Sequence, residues 1–171
     1  MSSFDDVLAG NQQYASTFQD GGEPAPAAKG LAVVTCMDSR LDPLRMLGLE
    51  RGDAKIMRNA GARVIDDVLR NLVLGHVLLG VQRVMVLAHT TCAMTGTTED
   101  QVQDVLRDRA GLDARSLHFE VMEDQLAAMG RDVQRVRSWP FLPGLPVTGC
   151  LYDLKTGRIE VVHPDDQPVS G

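Results

Sequence analysis

The sequence predicts an α/β protein with a mostly parallel sheet, helices on both faces and an antiparallel strand at one edge. Three observations carry this. Short apolar, β-branched runs at 31–36, 54–58 and 83–88 read as strands. Longer stretches between them have apolar residues three and four apart, the spacing of helices. Two further runs, Val147–Tyr152 and Arg158–Val162, flank Asp153-Leu-Lys-Thr-Gly157 as a β-hairpin, so the last strand runs antiparallel. Strands that alternate with helices form a parallel sheet joined by crossover helices.

A chain of 171 residues suits one domain with a sizeable core. Residues 1–30 read as a helical arm and a Pro/Gly loop, 31–163 as a single α/β domain, and 164–171 as a frayed tail. The net charge of −6, with no basic cluster, argues against nucleic acid and anionic membranes as partners. No run reaches the ~18 apolar residues of a membrane span. The start, Met1-Ser-Ser-Phe-Asp-Asp6, lacks the pattern of a signal peptide. Three irregularly spaced cysteines do not form a disulfide framework, and a reducing cytoplasm is the expected setting.

Phe4, Val7, Leu8, Tyr14 and Phe18 give an amphipathic helix over 4–18. Two of the four phenylalanines lie there, as in an arm that buries its aromatics against a partner subunit or against its own domain. The loop 20–30 holds glycines and prolines that stop regular structure. After the first strand, Asp42-Pro43 starts a short helix as N-cap and N1, and Gly48 or Gly52 ends it. Asp66 or Asp67 caps a long helix over 67–79, apolar on more than one stripe and so expected to be buried on two sides. Thr98-Glu-Asp-Gln101 is a capping box before a helix closed by Gly111. Met122, Leu126, Met129, Val133 and Val136 place a further helix over 121–137, with both methionines as core.

Chemistry gathers at two strand ends. The run Leu31–Thr35 ends in Cys36-Met-Asp38-Ser-Arg40, and Arg83–Ala88 ends in His89-Thr-Thr-Cys92. In open α/β sheets, functional residues lie outside the carboxyl ends of strands where strand order reverses. The first and third strands meet there if the second lies on the far side of the first. Two thiols and an imidazole then offer zinc three ligands and leave a fourth position open, as in a catalytic site. Water at such a metal is acidified, less strongly than with three imidazoles because two thiolates cancel the metal charge. Asp38 is placed to orient that water or to become the fourth ligand itself. A bidentate bond from Arg40 holds Asp38 off the metal. Singly, each feature has an ordinary reading: a core cysteine, a surface ion pair, a chance His-x-x-Cys turn. Cys150 reads as core filler, His76 as a hydrogen-bonded packing residue, and His118 and His163 as exposed.

These motifs resemble those of the β-class carbonic anhydrases, which carry Cys-x-Asp-x-Arg after the first strand and His-x-x-Cys after the third. Arg58-Asn-Ala-Gly61, Asp-Ser-Arg-Leu-Asp-Pro and Asp66-Asp-Val-Leu-Arg are also in step with the short prokaryotic members. The resemblance runs from about residue 31 to 162. It implies a sheet of order 2-1-3-4 plus an edge strand, and a homodimer or dimer of dimers whose N-terminal helix crosses the neighbouring subunit. It implies one Zn2+ per chain on Cys36, His89 and Cys92, with Asp38 as a fourth ligand in the closed form only. Asp38 and Arg40 would be catalytic, and the Arg58–Gly61 turn would line the pocket floor. Hydroxide on zinc would attack carbon dioxide to give bicarbonate. Relatives on this scaffold hydrolyse carbonyl sulfide or carbon disulfide. A non-enzymatic zinc-binding or bicarbonate-responsive protein is a further reading, as is a cysteine-nucleophile enzyme. One departure stands out: the family usually has glycine after the second cysteine, and Ala93 would be strained if that position needs a positive φ.

Overall fold

The computed structural model describes residues 3–165. The elements in chain order are α1 (Asp5–Thr17), β1 (Leu31–Cys36), α2 (Pro43–Met46), β2 (Ala54–Asn59), α3 (Asp66–Leu78), β3 (Arg83–His89), α4 (Glu99–Ala110), α5 (Gln125–Arg137), β4 (Val147–Tyr152) and β5 (Ile159–His163). The five strands form one sheet in the order β2-β1-β3-β4-β5. All pairs are parallel except β4 with β5. The turn between those two closes as expected, with Asp153 N–H donating to Arg158 O at 2.8 Å.

Burial explains the strand sequences. β1 is buried along its whole length, so it reads as a continuous apolar run rather than an alternation. Leu69 and Leu72 of α3 and Met129, Val133 and Val136 of α5 pack with Val34, Val84 and Val86 on one face. The other face carries Val33, Leu87 and Cys150, covered by Leu47 and Leu49 beside the single turn of α2. Helices therefore flank both faces, but unequally. Cys150 is core filler, as its sequence context indicates. His76 bonds the carbonyl of Val81 through its Nδ1 at 2.8 Å, as read from the sequence, but the residue is exposed rather than packed in the core.

Several expectations need correction. α3 buries Val68, Leu69, Leu72 and Gly75 along one side, while Leu74, Val77 and Leu78 are half or more exposed. Its N-cap is Ile65, without a side-chain cap, and Asp66 and Asp67 occupy the first turn, where they favour the helix dipole. α5 begins at Gln125, because Asp124 accepts the N–H groups of Leu126 and Ala127 and so caps it. Met122 precedes the helix, buried beside the thiols in a bridge with Thr95. His163 is half-buried, with Nε2 3.3 Å from the carbonyl of Leu126, rather than exposed. The aromatic arm does not dock on its own domain: α1 buries no residue, and Phe4, Val7, Leu8 and Tyr14 all exceed half exposure. Its end is held by Arg51, stacked 4.8 Å from the Phe18 ring and paired with Glu23. The frayed tail falls mostly in 166–171, outside the described residues.

Asp132 lies on the buried stripe of α5 and is 3% exposed. It accepts Arg63 Nε at 2.7 Å, Arg63 Nη2 at 3.2 Å and Val64 N–H at 3.2 Å. The pair pins α5 to the turn after β2. Removing the carboxylate strands a largely buried guanidinium, which typically costs about 3 kcal/mol. The Asp132→Ala variant should lose that much in urea unfolding; a loss under about 1 kcal/mol would show the pair to be dispensable.

Candidate metal centre

Parallel pairing of β1 with β3 sets Thr35 against Leu87. Cys36 and His89 are the last residues of these neighbouring strands, and Cys92 follows in the turn after β3. All three are buried. The two Sγ atoms are 3.9 Å apart, and the three donor atoms lie within 4.8 Å of one another. His89 Nδ1 stands 2.9 Å from the carbonyl of Thr90, so it carries the proton and leaves Nε2 as a lone-pair donor. Nε2 is buried and has no hydrogen-bond partner among the described residues. A buried polar atom without a partner calls for an explanation, and an ion is one. Two thiolates on a tetrahedral zinc at ~2.3 Å sit about 3.8 Å apart, close to the spacing found here. The donor set and its geometry fit a metal ion of this kind. Burial pushes the Cys92 thiol up from its ordinary value, and the neighbouring Cys36 and Asp38 add to this. A coordinated cation reverses that, since a coordinating thiol is deprotonated outright.

Asp38 stands beside the cluster, its Oδ2 3.8 Å from His89 Nε2. Arg40 donates from Nε to Oδ1 at 2.9 Å and from Nη2 to Oδ2 at 2.6 Å, and its backbone N–H also reaches Oδ1 at 2.9 Å. These bonds hold the Asp38 carboxyl well below the usual carboxylate range. The two side chains meet through a turn at 39–40. A third acceptor, the carbonyl of Thr91, lies 3.2 Å from Arg40 Nη2.

Edge strand β2 supports this loop from behind. Arg58 donates to the carbonyls of Cys36 at 3.0 Å, Leu41 at 3.3 Å and Asp38 at 2.6 Å. Met37 N–H bonds the Asn59 carbonyl at 2.9 Å. Ala60, Ala93 and Met94 line an open cleft of about 450 Å3 over Cys36, Asp38 and Cys92. Arg58 thus clamps the loop rather than facing the cleft, and of the Arg58–Gly61 turn it is Ala60 that lines it. Gly61 has φ 82°, and a Cβ there would lie 2.3 Å from Met122 Cε. Ala93 is not strained in the way its departure from glycine implied. The positive φ of this turn falls on Thr91, at 54°.

The profile of the carbonic anhydrase family matches residues 31–159. Beta-carbonic anhydrase 1 of Mycobacterium tuberculosis is 37% identical over 165 residues, covering 96% of this chain and all of that one. The chain belongs to the β-carbonic anhydrase family. It is an enzyme of that family by these matches and by its fold. The crystal structure of carbonic anhydrase from Streptococcus mutans superposes with a TM-score of 0.89 at 36% identity, covering 95% of this chain and 99% of the other. A carbon disulfide hydrolase of Acidithiobacillus thiooxidans is 27% identical over 175 residues, covering 90% of this chain and 86% of that protein.

The structure brings Cys36, Asp38, Arg40, His89 and Cys92 into one site and leaves Cys150, His76, His118 and His163 outside it. Sequence reasoning missed the Arg58 clamp, the Arg63–Asp132 pair and the packing of Met122 against the thiols. Only Asp132 left a signal, a charge on the apolar stripe of its helix. Cys36→Ser and His89→Ala should each lower bound zinc from one per chain to a small fraction, measured by elemental analysis of protein purified with added zinc. Full occupancy in both variants would show that the metal lies elsewhere.

Proposed function

We propose that this enzyme reversibly hydrates carbon dioxide to bicarbonate, with one zinc ion per chain on Cys36, His89 and Cys92. The observation that carries this is the unpartnered His89 Nε2 facing two thiols, with Asp38 drawn aside by Arg40 so that one position stays open. Zinc held there supplies Lewis-acid activation of water, moderated because two thiolates offset its charge. Asp38, kept ionised by Arg40, accepts the outward O–H of the attacking water at Oδ2 and turns a lone pair toward the carbon. Arg40 fixes that oxygen and stops the carboxylate from taking the open position. The cleft walls formed by Ala60, Ala93 and Met94 offer an apolar surface to a linear, uncharged substrate. Water and carbon dioxide yield bicarbonate and a proton, and the proton passes to buffer.

Carbon disulfide or carbonyl sulfide is the second reading of the substrate, supported by the carbon disulfide hydrolase relatives. A locked, non-enzymatic zinc protein is disfavoured by the bidentate hold of Arg40 on Asp38. Two thiol ligands suit a reducing compartment such as the cytoplasm. The apolar residues of α1 and the outer side of α3 support assembly as a homodimer, or a dimer of dimers, with a partner covering them. No helix among the described residues is long and apolar enough to cross a membrane.

Stopped-flow assays of carbon dioxide hydration should show a rate that rises with pH through neutrality, since deprotonated water is the nucleophile. Carbonyl sulfide and carbon disulfide run in parallel should turn over more slowly; faster turnover of either would reassign the substrate. Arg40→Ala should lose about a hundredfold in kcat, roughly the effect of one electrostatic or proton-transfer contact, while keeping its zinc. Undiminished kcat in that variant would remove Arg40 from the mechanism. Light scattering should give twice or four times the 18.6 kDa chain mass, and a monomer would refute the assembly.

A further inference from the structure

Thr91 sits between His89 and Cys92 with φ 54°. Left-handed backbone is uncommon for any residue with a Cβ and worst for a β-branched one. Such strain persists only where the surroundings hold it, and it clusters at functional sites. Here the holder is visible. The Thr91 carbonyl accepts Arg40 Nη2 at 3.2 Å, and the same nitrogen donates to Asp38 Oδ2 at 2.6 Å. Asp38 Oδ2 in turn lies 3.8 Å from His89 Nε2. One guanidinium nitrogen therefore ties a strained peptide to the carboxylate beside the donor cluster. The Arg40 side chain is 53% exposed, and a long exposed side chain loses its geometry unless it is anchored. Asp38 alone does not anchor it in space, because both residues lie on the same short loop. Thr91 belongs to the turn that carries Cys92, on the other strand of the site.

We propose that Thr91 is a positioning residue: its left-handed backbone turns its carbonyl onto Arg40 and so latches Asp38 away from the metal position. The inference rests on the zinc reading given above. The agent is the peptide, not the hydroxyl. The local strain is offset by a hydrogen bond to a charged donor, a stronger bond than one between neutral groups. If Arg40 lets go, the turn relaxes, and Asp38 is free to move onto the metal.

The test uses the zinc-loaded full chain. Thr91→Pro fixes φ near −65°, which withdraws the carbonyl. It should lower kcat about tenfold with KM within about threefold, since the defect lies in the fraction of open sites rather than in binding. Its crystal structure should show the Asp38–Arg40 pair broken. Thr91→Asn tolerates left-handed backbone and should restore both the rate and the pair. A Thr91→Pro protein with the pair intact and full kcat overturns the proposal. A second arm does not depend on the proline variant folding. Thr91→Gly should raise Tm by about 2–4 °C, the effect of relieving such strain in a chain of this size. In an Arg40→Ala background the gain should fall below half, because the turn has already relaxed. Equal gains in both backgrounds show that Arg40 does not hold the strain and overturn the latch. Wild-type protein without zinc or hydration activity defeats the functional reading instead, and the Thr91→Pro crystal structure and the Thr91→Gly Tm comparison then decide the latch alone.

Discussion

Everything at the site depends on the parallel pairing of β1 with β3. That pairing sets Thr35 against Leu87 and so delivers Cys36 and His89 to one end of the sheet from distant parts of the chain. It is enforced by burial. β1 is closed off on both faces, and a one-residue slip would turn Val33 and Val34 to opposite sides of a sheet whose two apolar layers differ. The Thr35 hydroxyl, itself buried, adds a bond to the Leu87 carbonyl at 2.8 Å and ties the two strands one residue before the thiol. Because β2 occupies the far side of β1, the ends of β1 and β3 form the crevice where strand order reverses.

Around the donor cluster, charge is handled by pairing at short range. Arg40 satisfies Asp38, Arg58 satisfies three carbonyls of the loop that follows β1, and Arg63 satisfies Asp132. Each arginine reaches from one segment to another, so the loops of the site are cross-braced without a disulfide. Planar guanidinium groups suit this work because one side chain directs several donors at fixed angles. Among the described residues only His89 Nε2 and Gln125 Nε2 are buried side-chain polar atoms without a partner, and of the two His89 Nε2 is the one that belongs to the cluster with the two thiols.

The outer surfaces are less finished than the site. α1 projects with its apolar residues exposed, and α3 turns Leu74, Val77 and Leu78 outward. The sequence marked α3 as apolar on more than one stripe and α1 as an amphipathic arm rich in aromatics. What the sequence could not show was which of those sides the chain covers itself. The answer is one side of α3 and nothing of α1.

The strands, the motifs that carry Cys36, Asp38, Arg40, His89 and Cys92 and the antiparallel edge were legible in the sequence, because burial period and ligand chemistry are written in local residue types; the full strand order came with the family resemblance. Boundaries shifted where a cap decided them: Asp124 starts α5 later than its apolar spacing implies, and Met122 is thereby released from the helix to pack beside Cys36 and Cys92. The features that stayed hidden are those made by long-range approach. The contacts of Arg58 and Arg63 form only when β2 brings Arg58 behind the loop after β1 and α5 brings Asp132 to Arg63. Thr91 looks like a neutral spacer until the backbone puts it at positive φ. The sequence by itself determined which atoms can hold a metal and which strands bring them. Only the tertiary structure decided that the Thr91 carbonyl accepts from Arg40 and that Arg58 and Arg63 find their acceptors, because those contacts depend on side-chain reach and backbone torsion, which no local pattern encodes.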